Sequence, residues 1–249
     1  MKTWKIPRIP KIIRSNQTKY SKEYRGNQYT VFEGSSNYIW VLDSGHGGVI
    51  DGIYQTEGKR SPIWPDGTQL FEGESNRDFV LRITKELEER NISYVNLIDN
   101  QLDTPLKIRT DLANMLNVNE QKKGKKKRIM IYVSIHSDAF NRQNARGWSV
   151  YTSPGQTLSD KVADTFAKTW REEFPLGKLR TDARDGDVDK EAKFWVLTKT
   201  VMPAILTENF FMTNPRECKE ILMSEEGRKK IAKYHYEAIQ QIDDKKLIG

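Results

Sequence analysis

Continuous apolar runs alternate along this chain with runs whose apolar residues recur three and four positions apart. The first kind predicts strands at 38–42, 92–98, 129–135, 147–152, 194–198 and 204–207, several of them β-branched enough to be buried on both faces. The second kind predicts helices. Residues 75–90 place Phe79, Val80, Ile83 and Leu87 on one face, and 157–173 do the same with Leu158, Val162, Phe166 and Trp170. A helix carrying Leu106, Leu112, Met115 and Leu116 opens after Thr104-Pro105, read as a cap followed by proline at the first helical position. Asn214-Pro215 repeats that signal, and a last helix spans about 225–242. Strands alternating with helices predict an α/β fold, a mostly parallel twisted sheet with helices on both faces, in a single domain. Residues 1–35 are basic, polar and proline-bearing and read as an extended arm or irregular lead-in, leaving 36–249 as the domain.

Composition narrows the setting. A hydrophobic fraction of 37% can build a core, and no apolar run approaches the ~20 residues that span a bilayer, so no membrane insertion is expected. Pro7, Pro10, Lys11 and Arg14 interrupt any signal-like apolar segment at the start. The net charge of +7 favours anionic partners, a cell envelope or nucleic acid. The lysine cluster Lys122–Arg128 has no interleaved aromatics, so nucleic acid is not expected as the partner. Cys218 is the only cysteine and has no histidine near it in sequence, which reads as a packed or surface thiol.

Candidate chemistry gathers where strands end. "DSGHGG" puts His46 after the first strand, "SIHSD" puts His136 after the third, and "ILTENFFMTN" puts Glu208 after the last. Beyond the carboxyl ends of parallel strands such groups can meet across long stretches of sequence. "FEGESN" adds Glu72, four residues before Asn76 and so on the same helical face, or Glu74. Two histidines and a glutamate suit a catalytic zinc, and a further carboxylate suits a general base. "DSGHGG" lacks the lysine and hydroxyl of a phosphate loop; its glycines read instead as letting the chain turn sharply beside His46 and keeping bulk away.

"VLDSGHGG", "EGESN", "SIHSD" and "PAILTENFFMTN", in that order, resemble the zinc-dependent N-acetylmuramoyl-L-alanine amidases across about residues 38–242. The resemblance implies hydrolysis of the amide between N-acetylmuramic acid and L-alanine in peptidoglycan, with a zinc-activated water. His46 and His136 match the metal histidines, and Glu208 matches the general base. The family's metal glutamate stands four residues before an asparagine-like residue, which favours Glu72 (with Asn76) over Glu74 (with Asp78). The chain departs from the family where Ser44 replaces proline and where Asn209-Phe210 replaces Gly-Phe. The setting implied is a phage endolysin, a monomer made in the host cytoplasm and acting at the wall after release; a bacterial enzyme with another export route is the rival. A zinc peptidase or deacetylase acting on another amide is the alternative reaction, and a non-catalytic envelope- or nucleic-acid-binding protein that kept the fold is the remaining reading. The charged stretch holding Arg184, Asp187 and Lys193 reads as substrate contacts or a solvated loop. Residues 58–67 offer Trp64 as a cleft wall or form an ordinary loop, and His235 reads as a plain helix residue.

Overall fold

In the computed structural model, which describes residues 18–182 and 186–248, one eight-stranded sheet organises the chain. Its strands are β1 (Thr18–Tyr24), β2 (Asn27–Glu33), β3 (Tyr38–Ser44), β6 (Tyr94–Asn96), β7 (Ile129–Asp138), β8 (Ser149–Thr152), β9 (Lys190–Glu191) and β10 (Ala204–Phe211). A separate two-stranded hairpin joins β4 (Val49–Ile50) to β5 (Ile53–Tyr54). The order across the large sheet is β1-β2-β6-β3-β7-β10-β8-β9. Strands β6, β3, β7 and β10 run parallel in the centre, and β2 and β8 join their outer edges antiparallel.

The helices are α1 (Glu72–Glu89), α2 (Leu106–Gln121), α3 (Leu158–Glu173), α4 (Trp195–Thr198), α5 (Pro215–Glu217) and α6 (Glu225–Lys245). Alternation along the central strands decides which helix covers which face. Trp40, Leu42, Ile131, Val133 and Ile205 point to one face and pack with Phe79 and Ile83 of α1, Phe166 and Trp170 of α3, and Tyr234 and Ile239 of α6. Ile39, Val41, Met130, Tyr132 and Leu206 point to the other and pack with Leu112 and Ala113 of α2 and Val196 and Leu197 of α4. Each fully buried Phe, Ile or Leu of these layers contributes on the order of 1.5–3 kcal/mol. No described helix is long and apolar enough to cross a membrane.

Several expectations need correction. Residues 18–33, read as an arm or lead-in, form the β1–β2 hairpin, which extends the sheet by pairing β2 with β6. Residues 194–198, read as a strand, form the single turn α4; Val196 and Leu197 are adjacent yet both buried against α2, which a strand's alternation forbids. Thr104 does not cap α2. Pro105 occupies that position, and the Thr104 hydroxyl donates instead to Asn27 Oδ1 at 2.9 Å. Asn214 does cap α5, its side chain accepting from the N–H groups of Arg216 and Glu217. Thr157 caps α3 in a reciprocal arrangement with Asp160.

Candidate metal centre

The carboxyl ends of β3, β7 and β10 and the first residue of α1 meet at one edge of the sheet. His46 Nε2 and His136 Nδ1 each lie 3.2 Å from Glu72 Oε1. The three atoms fall within 4.8 Å of one another, the one such grouping of His, Cys, Asp and Glu among the described residues. Glu74 points elsewhere: its Oε1 accepts from the Val49 N–H at 2.8 Å and fastens the loop after His46. Starting α1 at Glu72, earlier than the periodicity of 75–90 predicts, is what carries Glu72 to the histidines.

Close approach explains the glycines. A Cβ on Gly45 would stand 2.5 Å from both ring nitrogens of His136, and one on Gly73 would run into the Gly47 carbonyl. The sharp turn, however, is made by His46 itself, with φ of 67°, while Gly45, Gly47 and Gly48 stay out of the left-handed region. Two buried arginines hold that strained residue by its carbonyl oxygen: Arg77 Nη1 donates at 2.8 Å and Arg109 Nη2 at 3.2 Å. Burial presses the Arg77 guanidinium down to about 10, and the nearby Arg109 charge adds to this.

Glu72 is 2% exposed. Burial opposes its ionisation, but hydrogen bonds and charge from His136 and His46 prevail and hold its carboxyl well below the usual range. Burial lowers the His46 imidazole, against the opposing pull of Glu72. A neutral imidazole and an ionised carboxylate are the forms that ligate a cation. Glu208 sits directly across from His136 in the β7–β10 register. Its Oε2 is enclosed with no hydrogen-bond partner. Burial, then repulsion from Glu72 and Asp138, raises its carboxyl well above the ordinary value.

Immediately after Glu208 the register with β7 shifts, and Phe210 adopts φ of 62° in the bulge. That shift leaves Asn209 facing the helical core. Its Nδ2 donates to the His136 carbonyl at 2.9 Å and its Oδ1 accepts from the Tyr234 hydroxyl. Tyr234 accepts in turn from Trp148 Nε1 at 2.8 Å. His235 is wholly buried; its Nδ1 donates to the Ile231 carbonyl at 2.8 Å, and burial presses it down to about 3. Glu217 ties the segment before β8 to the end of β10, accepting from Gly147 N–H at 2.8 Å and Phe211 N–H at 2.9 Å.

Trp64 does not line the cleft: at 6% exposure it belongs to the larger core cluster, with Lys219 over its ring. Lys193 is exposed, Asp187 is half-buried, and Arg184 lies outside the described residues. Sequence reasoning missed Arg77, Arg109 and Tyr132, whose signals are ordinary helix and strand residues. Asp43 and Ser134 stood inside quoted motifs without a role.

The profile of the family described as "N-acetylmuramoyl-L-alanine amidase" matches residues 41–241. The chain is 28% identical over 244 residues to N-acetylmuramoyl-L-alanine amidase AmiC of Neisseria meningitidis, covering 82% of this chain and 52% of that protein. It thus spans about half the length of that curated relative. Among solved structures, an N-acetylmuramoyl-L-alanine amidase from Clostridium difficile 630 superposes with a TM-score of 0.64 at 24% identity, covering 85% of this chain and all of that one. The amidase AmiC2 of Nostoc punctiforme gives 0.63 at 25% identity, covering 84% and 98%.

Proposed function

The chain belongs to the N-acetylmuramoyl-L-alanine amidase family, and from that premise we propose that it hydrolyses the amide joining N-acetylmuramic acid to L-alanine in peptidoglycan. In this reading His46, Glu72 and His136 hold a zinc ion and Glu208 is the general base. The observation that carries it is the convergence of two imidazole nitrogens on one buried carboxylate oxygen, each at 3.2 Å. Ligand atoms around a tetrahedral zinc with bonds of about 2.0–2.2 Å stand roughly 3.3–3.5 Å apart, close to the two 3.2 Å separations at Glu72, and the donor types suit the ion.

Zinc, when held there, supplies a Lewis acid that polarises the scissile carbonyl and makes water a better nucleophile. Glu208 accepts the proton of the attacking water as its oxygen bonds to the carbonyl carbon. It returns that proton to the amide nitrogen as the C–N bond breaks, leaving a lactyl carboxylate and a free peptide amine. Burial and the neighbouring carboxylates raise the Glu208 carboxyl above its ordinary value, which makes it a stronger base toward water than a solvated glutamate. The backbone clasp on His46 by Arg77 and Arg109 holds one ligand without help from substrate.

Digestion of purified sacculi tests the reading. Expected are release of whole stem peptides, intact glycan with free lactyl groups, about one zinc per chain, and loss of activity with chelator. A Glu208→Ala variant is expected to keep zinc and lose at least about a hundredfold in rate; undiminished digestion refutes the base assignment. A peptidase or deacetylase acting on another amide leaves different masses in the same digest. We place the action at the wall, where the +7 charge favours adsorption to anionic polymers. The endolysin setting, with a monomer held in the host cytoplasm until release, predicts that cells expressing the chain stay intact until their membrane is permeabilised.

A further inference from the structure

His136 is a candidate ligand with both ring nitrogens engaged. Nδ1 faces Glu72, and Nε2 lies 3.1 Å from Ser134 Oγ. Ser134 Oγ in turn lies 3.0 Å from Asp43 Oδ2. Asp43, 1% exposed, is surrounded by donors: Arg109 Nη1 on Oδ1, and the Tyr132 hydroxyl on Oδ2 at 2.7 Å. Burial opposes ionisation of this carboxyl, yet the Arg109 charge and the Tyr132 hydrogen bond hold it below its ordinary value.

The hydrogens can be assigned by counting. An ionised carboxylate only accepts, and a serine hydroxyl has one hydrogen to give. Ser134 spends it on Asp43, a charge-assisted bond in a buried setting. Its oxygen is then left as the acceptor facing His136, so Nε2 must carry the N–H. The nitrogen on the other side of the ring, Nδ1, is left for the position shared with Glu72. We propose that Asp43 and Ser134 are positioning residues that keep a proton on His136 Nε2 and so reserve Nδ1 for the metal. The same Asp43–Arg109 pair also anchors the other histidine: Arg109 donates to the Ser44 carbonyl at 2.7 Å and to the His46 carbonyl. One buried ion pair thereby orients both imidazoles.

The proposal rests on the reading of His46, Glu72 and His136 as a zinc site, and the experiment separates the two. Zinc affinity is measured by competition with a chromophoric chelator for the wild type, Ser134→Ala and Asp43→Asn. Imidazole ¹⁵N spectra of metal-free and zinc-loaded protein are recorded alongside. Expected in the wild type is a protonated, exchange-protected His136 Nε2 in both states. Ser134→Ala is expected to lose that protection and bind zinc about 10–100-fold more weakly, the usual effect of removing a partner behind a ligating histidine. Asp43→Asn is expected to follow it; should that variant fail to fold with Arg109 left unpaired, Ser134→Ala decides alone. A Ser134→Ala protein with wild-type zinc affinity, or an unprotonated Nε2 in the zinc-loaded wild type, overturns the proposal. A wild type that binds no zinc overturns the metal reading beneath it.

Discussion

Adding one methyl group at Gly45 should disable the metal centre while sparing the fold. The Cβ of Gly45→Ala would stand 2.1 Å from His136 Cε1 and 2.5 Å from Nδ1 and Nε2, where ordinary contact begins at 3.4 Å. The imidazole must retreat by about 1 Å, several times the ~0.2 Å within which metal–ligand distances are held. The ring cannot slide sideways easily, because Ser134 holds Nε2 and Glu72 faces Nδ1. Misplacement on this scale costs on the order of a hundredfold in rate, so sacculus digestion should fall by about that factor, and zinc affinity should fall with it. Gly52→Ala is the control. Its φ is 80° and nothing lies within 4 Å of the new Cβ, so it should cost about 1–2 kcal/mol in backbone strain and leave zinc binding intact. Chelator competition reads the affinity, and circular dichroism with urea unfolding reads the fold. A Gly45→Ala protein that is folded and binds zinc like the wild type refutes the close-approach argument.

Acid should unfold the protein partly through His235. The unfolded imidazole titrates near 6.5 and the folded one at about 3, so the unfolded chain holds the extra proton between those values. This contribution to stability is whole above pH 6.5 and lost as pH falls toward 3, reaching about 5 kcal/mol in the limit. Urea unfolding at pH 7, 5 and 4 should show a shallower loss in His235→Gln, and parallel curves refute the assignment. Phe210→Gly sets two effects against each other. It relieves about 1–2 kcal/mol of left-handed strain but removes a ring 4.9 Å from Phe174 and 1% exposed, worth about 3–5 kcal/mol. Net destabilisation of about 2 kcal/mol by urea unfolding is expected, and a stabilised variant contradicts the packing estimate.

The layered sheet was legible because continuous apolar runs such as Tyr38–Leu42 and Ile129–Ile135 become central strands. Edge elements were not. β1 is charged and exposed, β2 offers only the short apolar set Tyr29, Val31 and Phe32, and the hairpin's membership is decided by pairing with β6, a tertiary fact. Residues 194–198 misled because a β-branched aromatic run also fits one helical turn once Phe194 adopts an extended cap. The meeting of the four motif residues at one end of the sheet was readable from order and spacing, and their roles remain proposed. Trp64 was misjudged because a proline-flanked loop gives no sign that its side chain turns into the core. The arginines under His46 and the Asp43–Ser134 pair were invisible as chemistry, since nothing in a helix or strand pattern says which polar side chains are turned inward.

The contacts of α6 bear on when the candidate metal centre can first form. Asp243 accepts from the N–H groups of Asn37 and Tyr38 at the start of β3, and Tyr38 exchanges hydrogen bonds with Ile248, 210 positions away. Tyr234 on the same helix supports Asn209, which holds the His136 carbonyl. At about 5–20 residues per second of synthesis, the central strand waits roughly 10–40 s for this closing helix. A nascent chain therefore carries every motif long before it carries a finished site, and the His46–Glu72–His136 grouping waits for α6 to be made before its supports are complete.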